Sequence, residues 1–281
     1  MRLLAKAMGV LLLCWGGMAQ ALTVQLLGAG PGSEPFVAAL REKLGDAHQV
    51  VLDAGSADVV VALHEGVLAE ARAQSKPRLL LLPEPGLELQ QGETALYWSP
   101  SLTDQLRLAR HIMPGLRRVG LLVSPRDLPR AQALRNTAQA ARIELLVREA
   151  EPALLARQVA ELAATADVLL APVDPLLFSR ESLKPVLLAA YRQNRVFVGP
   201  TPAWVRAGSL ASLYATPQTL AHDVAQAIHA WQQGGRWPAP AGASRFDVIT
   251  NPQVARSMGL RLPETESLTR LIQGGKGVLW P

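Results

Sequence analysis

Few side chains in this chain have the spacing that chemistry demands. Gly28-Ala29-Gly30-Pro31-Gly32-Ser33 follows an apolar run and precedes a helical stretch. Turns of this kind let backbone amides approach a pyrophosphate at a helix N-terminus. Here Ser33 stands where the third glycine of a dinucleotide turn belongs, and Asp53 is a weak acid candidate for the end of the second strand. Two readings remain: a tight strand-to-helix turn, or a turn whose amides serve some other polar ligand. His64 and Glu65 are adjacent, not four apart on one helical face, which excludes a helical zinc motif. His48, His111, His222 and His229 are scattered. No Gly-x-Ser-x-Gly elbow occurs, so a serine nucleophile of the α/β-hydrolase type has no signature. Carboxylate pairs for glycoside chemistry are defined by geometry, which spacing alone does not supply. The sequence therefore points to no catalytic residue, no metal and no cofactor.

The elements that would position any site alternate between two textures. Short apolar runs end in Gly, Pro, Ser or Asp, and Ala/Leu/Arg/Gln stretches of helical spacing follow them. The spacing predicts strands over Leu22–Leu27, Val50–Leu52, Asp58–Leu63 and Arg78–Leu82, with helices near Pro35–Leu44 and Val67–Gln74. A Pro/Gly/Gln-rich stretch, Pro83 to Pro100, and a helix near Leu102–Met113 come next. The texture then restarts. Strands are predicted over Arg117–Val123, Ile143–Val147, Asp167–Val173 and Val196–Val198, with helices near Pro129–Ala141, Ala153–Ala164 and Leu183–Gln193. A helix near Gln218–Gln233 stops at Gly234-Gly235. A short strand, Phe246–Ile249, and a helix near Pro252–Met258 form the tail.

Runs that are apolar throughout suit parallel strands buried on both faces. Strand–helix alternation predicts right-handed βαβ units. The expected fold is α/β, with two lobes, each a parallel sheet covered by helices on both faces, joined by a hinge of several crossings. Lobe 1 is assigned to 22–98 plus about 214–237, and lobe 2 to about 99–213 plus 238–281.

Ligands of open parallel sheets bind beyond the carboxyl ends of the strands. In two facing lobes those ends line one cleft. The candidate ligand-binding residues are therefore Gly30, Ser33, His64, Glu65, Ser99, Ser124, Asp174, Thr201 and Trp204, with Pro83-Glu84 at another strand end. Each has an architectural alternative. Ser124 and Thr201 suit turn amides, and Asp174 ahead of Pro175 suits a helix cap.

The N-terminus bears on location. Arg2 and Lys6 precede the apolar run Gly9 to Trp15, and Ala19-Gln20-Ala21 supplies small residues at alternate positions. That is the anatomy of a secretory signal, expected to be cut after Ala21 and to place the protein in the periplasm. An uncleaved anchor is the alternative, but the segment is short for a membrane span. The only cysteine, Cys14, lies inside the leader, so the mature chain has no thiol and no disulfide. Loss of Arg2 and Lys6 takes the formal charge from +5 to +3. No basic run interleaved with aromatics points to nucleic acid.

Residues Leu106 to Pro125, with Met113-Pro114-Gly115, Arg117-Arg118 and Val119-Gly120-Leu121-Leu122-Val123-Ser124-Pro125, resemble the centre of the ABC-transporter substrate-binding family with the type I periplasmic-binding fold. Asp167 to Asp174 resembles its later strand ending in Asp, and Asn194 to Val198 the strand after it. Leu220 to Gly234 and Asn251 to Pro263 resemble its late helix and tail. The resemblance covers about Leu102 to Pro263. The first lobe departs from it. His64-Glu65 replaces a small turn, and Glu84-Pro85-Gly86-Leu87-Glu88-Leu89 is shortened and altered.

The resemblance implies a monomeric, non-enzymatic solute-binding protein of an ABC importer. Its lobes would close on a small polar solute, with amino acids among the ligands of relatives, and membrane permease subunits would be its partners. A sensor or accessory role, or an exported α/β enzyme using the same cleft, are the alternatives.

The leader makes the first testable statement. N-terminal sequencing of the exported protein is expected to begin at Leu22; a chain that keeps Met1, or that stays in the cytosol, contradicts it.

Overall fold

A computed structural model describes residues 21–52 and 55–274. The leader expected over Met1 to Ala21 therefore lies outside the described residues except for Ala21, and so does Asp53. In chain order the first elements are β1 (Thr23–Leu27), α1 (Glu34–Leu44), β2 (Gln49–Val51), β3 (Val59–Ala62), α2 (Leu68–Ala73), β4 (Arg78–Leu82) and β5 (Glu93–Tyr97). There follow α3 (Leu102–Ile112), β6 (Arg118–Val123), α4 (Leu128–Ala140), β7 (Glu144–Glu149), α5 (Leu155–Ala163), β8 (Val168–Leu170), α6 (Arg180–Arg192), β9 (Val196–Val198), α7 (Pro202–Ala207) and β10 (Ala211–Tyr214). The chain ends with α8 (Pro217–Gly234), β11 (Ala241–Gly242), β12 (Asp247–Thr250), α9 (Pro252–Ser257) and α10 (Thr265–Gly274).

These strands form two sheets, ordered β11-β5-β4-β3-β1-β2 and β12-β10-β9-β8-β6-β7. All pairings are parallel except β10 with β12. The fold is the expected two-lobed α/β arrangement. β3 and β4 are buried at every residue, because helices or loops cover both faces of the sheet. Helix α5 turns a stripe of Leu155, Val159, Leu162 and Ala163 inward, the spacing of one helical face. Helix α3 starts at Ser101, whose side chain accepts a hydrogen bond from Asp104 N, as an N-cap should. Helix α8 ends at Gly235 in the left-handed conformation. Its Ala221, Val224, Ala225 and Ile228 share a core with Phe36, Val37, Leu40 and Leu44 of α1, which assigns α8 to the first lobe.

The chain crosses between lobes after β5, after β10 and after β11. The third crossing falls later than the boundary near residue 237 expected from the sequence. β11 pairs with β5 (Ala241↔Leu96, Gly242↔Tyr97), so the chain remains on the first sheet beyond 237 and crosses between Gly242 and Asp247. All three crossings lie at one end of the sheets. β5, β10 and β11 finish there, and antiparallel β12 begins beside the end of β10 (Tyr214↔Asp247).

Strands β5, β10 and β11 and helices α7 and α10 were not legible as elements. β5 was hidden by its first residue, Glu93, a poor strand former. The structure gives Glu93 a specific role. Its carboxylate receives Arg72 Nε and Nη2 at 2.9 Å each, Arg78 Nε at 3.1 Å and Gln90 N at 2.9 Å. The side chain is fully buried. Burial pushes the carboxyl pKa up, but the bonds from Arg72, Gln90 N and Arg78 outweigh burial and hold it below its ordinary value.

Glu93→Gln leaves two arginines facing a neutral amide. It is expected to cost roughly 3 to 5 kcal/mol in denaturant unfolding, the range for breaking a buried ion pair. A group with a lowered folded pKa stabilises above its unfolded value. The gap between wild type and variant should therefore persist above about pH 4.5 and shrink as pH falls through the folded value. An unchanged gap on acidification contradicts this assignment.

Candidate functional site

In each sheet the strand order reverses once, between β1 and β3 in the first lobe and between β6 and β8 in the second. Crevices at such switch points, beyond the carboxyl ends of the strands, are where open α/β sheets bind ligands. In the first lobe the flanking residues are Gly28 and His64. Gly28 has φ 82°, and a Cβ there would lie 2.5 Å from His64 Nε2. The His64 ring therefore lies against this turn and also against Gly66. In the second lobe the flanking segments are Ser124 to Arg130 and Val173 to Leu177.

The two switch points face one another, because side chains meet across the gap. Glu65, after β3, lies 3.6 Å from the Arg126 guanidinium. Glu84, after β4, lies 4.0 Å from Arg126 and in direct contact with Arg130. Arg130 also donates to Asp127 Oδ1 at 3.0 Å. Glu84 is 5 % exposed and Asp127 2 %. Burial raises the Asp127 carboxyl pKa, the Asp174 charge raises it further, and Arg126 partly offsets both. Burial lowers the Arg130 guanidinium. Arg126 is half exposed.

Asp174 is split in use. Its Oδ1 accepts amides from Leu176 at 2.9 Å and Leu177 at 3.4 Å. This is the capping role, here served to a turn. Its Oδ2 is buried with no hydrogen-bond partner. A buried carboxylate oxygen without a partner is costly, and Asp174 shares this state with neutral side-chain atoms of Gln25, Gln105 and Ser209. Ser99 Oγ, at the first crossing, is likewise buried and without a partner.

The glycine-turn candidates serve local structure, whereas the Ser124 and Thr201 side chains make no capping hydrogen bond. Gly30 N donates to Ser33 Oγ at 3.0 Å, Ser33 N donates to Gly30 O at 3.0 Å, and Gly32 N donates to Glu34 at 2.8 Å. The amides of the glycine turn are thus taken by the turn itself. Ser124 is buried, and its carbonyl accepts Asp127 N. Thr201 precedes α7, and its carbonyl accepts Trp204 N at 3.0 Å. Trp204, expected beside the cleft, packs instead in the second-lobe core, stacked on Phe197 at 5.6 Å and edge-on to Phe178 at 5.7 Å. A bulky apolar ring gains more there than at a wet gap. Arg126, Asp127 and Arg130 were not among the expected site residues. The rule that singled out Ser124 needed only to be extended by the turn that follows it.

Among the described residues no group of three or more His, Cys, Asp or Glu could hold a metal ion.

No family model matches the chain, and no curated protein matches it. Solved structures do. A ligand-free, open substrate-binding protein with adhesive properties from Clostridium difficile matches with TM-score 0.69 at 15 % identity, over 88 % of this chain and 97 % of that one. An ABC domain from Streptococcus pneumonia in complex with L-Trp matches with TM-score 0.62 at 14 % identity, over 89 % and 98 %. A transcriptional regulator, CelR, in complex with cellobiose matches with TM-score 0.52 at 16 % identity, over 81 % and 83 %. The chain has the type I periplasmic-binding fold. Within that fold the facing switch points form the interlobe cleft, and Glu65, Glu84, Arg126 and Arg130 span it.

Arg130→Ala removes the shared partner of Glu84 and Asp127. It is expected to destabilise the protein by about 3 kcal/mol, the low end for a broken buried pair because Arg126 still faces Glu84. It should also raise the radius of gyration in small-angle scattering. A variant with unchanged stability and unchanged dimensions would show that the cross-cleft pairs hold nothing together.

Proposed function

We propose that this chain is a periplasmic solute-binding protein of an ABC-type importer, closing its two lobes on a small polar solute. The observation that carries the reading is Asp174 Oδ2, a buried carboxylate oxygen with no partner. It belongs to a residue beside the second-lobe switch point and near Asp127, which Arg130 links to Glu84 of the first lobe. A ligand group that meets it in the closed form and not in the open form would shift the population toward closure. Ser99 Oγ is a second polar atom available at the same end of the sheets. The solved structures of the same fold include a substrate-binding protein and a regulator bound to a sugar, which supports a binding role for the cleft.

Export supports the periplasmic setting. The leader anatomy ends at Ala21, and the first strand begins at Thr23, so cleavage would leave the fold intact. Among the described residues no helix is long and apolar enough to cross a membrane. The same fold occurs in a transcriptional regulator, and the leader is what favours an extracytoplasmic role with permease subunits as partners. The protein is read as a monomer. Amino acids are the solute class that the sequence resemblance suggests.

Thermal-shift screening against small polar metabolites, followed by small-angle scattering, tests the proposal. A true ligand at a hundred times its dissociation constant should stabilise the protein by about 2.7 kcal/mol. It should also compact the protein. Hits that stabilise without compaction, or a screen in which turnover accompanies binding, would overturn it.

A further inference from the structure

The cleft carries more carboxylates than guanidiniums, and its guanidiniums are already engaged. Arg130 is held by Glu84 and by Asp127 Oδ1 at 3.0 Å. Arg126 lies between Glu65 at 3.6 Å and Glu84 at 4.0 Å. Glu84, 5 % exposed, stands in the altered segment after β4 and brings a carboxylate from the first lobe onto both arginines of the second. In the turns that follow the adjacent strands β6 and β8, Asp127 and Asp174 lie close enough for their charges to repel. Asp174 Oδ2 is buried and alone. Three carboxylates (Glu65, Glu84, Asp127) thus face two arginines, with the fourth, Asp174, beside Asp127.

We propose that Glu84 is a built-in occupant of the Arg126–Arg130 pair, so that the cleft recognises a cationic amine through Asp174 and refuses carboxylates. This rests on the solute-binding reading and departs from the amino-acid class that the resemblance suggests, because an α-carboxylate is among the groups the cleft would refuse. An incoming carboxylate would have to displace Glu84 and leave it buried without a cation, which is the more costly state. An ammonium group, by contrast, supplies the donor that Asp174 Oδ2 lacks and lowers the repulsion between Asp174 and Asp127. Charge selection of this kind works as much by the unpaired group it would create as by the contact it makes.

Probes of one chain length separate the alternatives. Butylamine, 1,4-diaminobutane, butyrate, succinate and 1,4-butanediol would be titrated into the full mature protein. The readouts are carboxyl carbon NMR shifts of Asp174 and Asp127 and the melting temperature, at constant ionic strength. The amines should move the Asp174 signal saturably and raise the melting temperature, while the anions and the diol should do neither. Asp174→Asn keeps the Oδ1 acceptor for Leu176 and Leu177 but removes the charge, and should weaken amine binding at least about tenfold. Glu84→Gln frees the arginine pair and should let succinate bind where it did not before. The proposal is overturned if anions or the diol bind the wild type as well as the amines do. It is also overturned if no amine moves Asp174, or if Asp174→Asn binds amines unchanged. Compaction by an anionic or neutral metabolite would sink the amine preference and leave the solute-binding reading standing. An absence of any compacting ligand would count against that reading itself.

Discussion

Glu84 is buried at the end of β4, and the cations that neutralise it belong to the other lobe. A carboxylate in that position is tolerated only with a partner, because desolvation would otherwise cost several kcal/mol. The first lobe therefore reaches the second through an interaction that neither sheet satisfies alone. The interaction sits at the switch points of both sheets, so the force that joins the lobes and the place where a ligand would enter coincide. Any solute that binds there must work with this network or against it.

The backbone path reinforces the same geometry. Parallel strands bring every carboxyl end to one side of a sheet, and all three crossings leave or enter the sheets on that side. The connections are short, and they lie beside the gap. Motion of one lobe against the other would concentrate its dihedral changes in Trp98–Ser101, Ala215–Thr216 and Ala243–Phe246, leaving each sheet rigid. Binding can then be read as a change in the distance between two firm bodies. A membrane partner of a solute-binding protein could recognise that change.

Most of the fold was legible because buried parallel strands need apolar runs and their crossover helices need apolar stripes. Val59 to Ala62 and Leu155 to Ala163 show both patterns plainly. What escaped notice was held by tertiary context. β5 opens with Glu93, whose charge is satisfied by Arg72 and Arg78 from elsewhere in the chain. β11 is two residues long and exists through its pairing with β5. Of the candidate site, the strand-end rule named Asp174, Glu65, Glu84 and Ser99. It also selected Trp204, where aromatic packing with Phe178 and Phe197 decided the outcome. The glycine turn closed on its own hydroxyl and amides, which spacing alone could not show. Arg126 and Arg130 acquire meaning only when the first lobe brings Glu84 to them, a contact between segments about forty residues apart.

The central claim is that two rigid lobes close across this gap on a solute. It is tested most directly by distance measurement between paired spin labels, Glu70→Cys on α2 and Arg135→Cys on α4, both exposed positions, in a protein whose one native cysteine, Cys14, is replaced by Ser. Spectra would be recorded with and without a pool of small polar metabolites. The account predicts that the pool shifts the interlobe distance to a shorter, narrower distribution, while label pairs placed within one lobe stay unchanged. An interlobe distribution that is the same in every condition, or within-lobe distances that move as much as it does, would contradict the account.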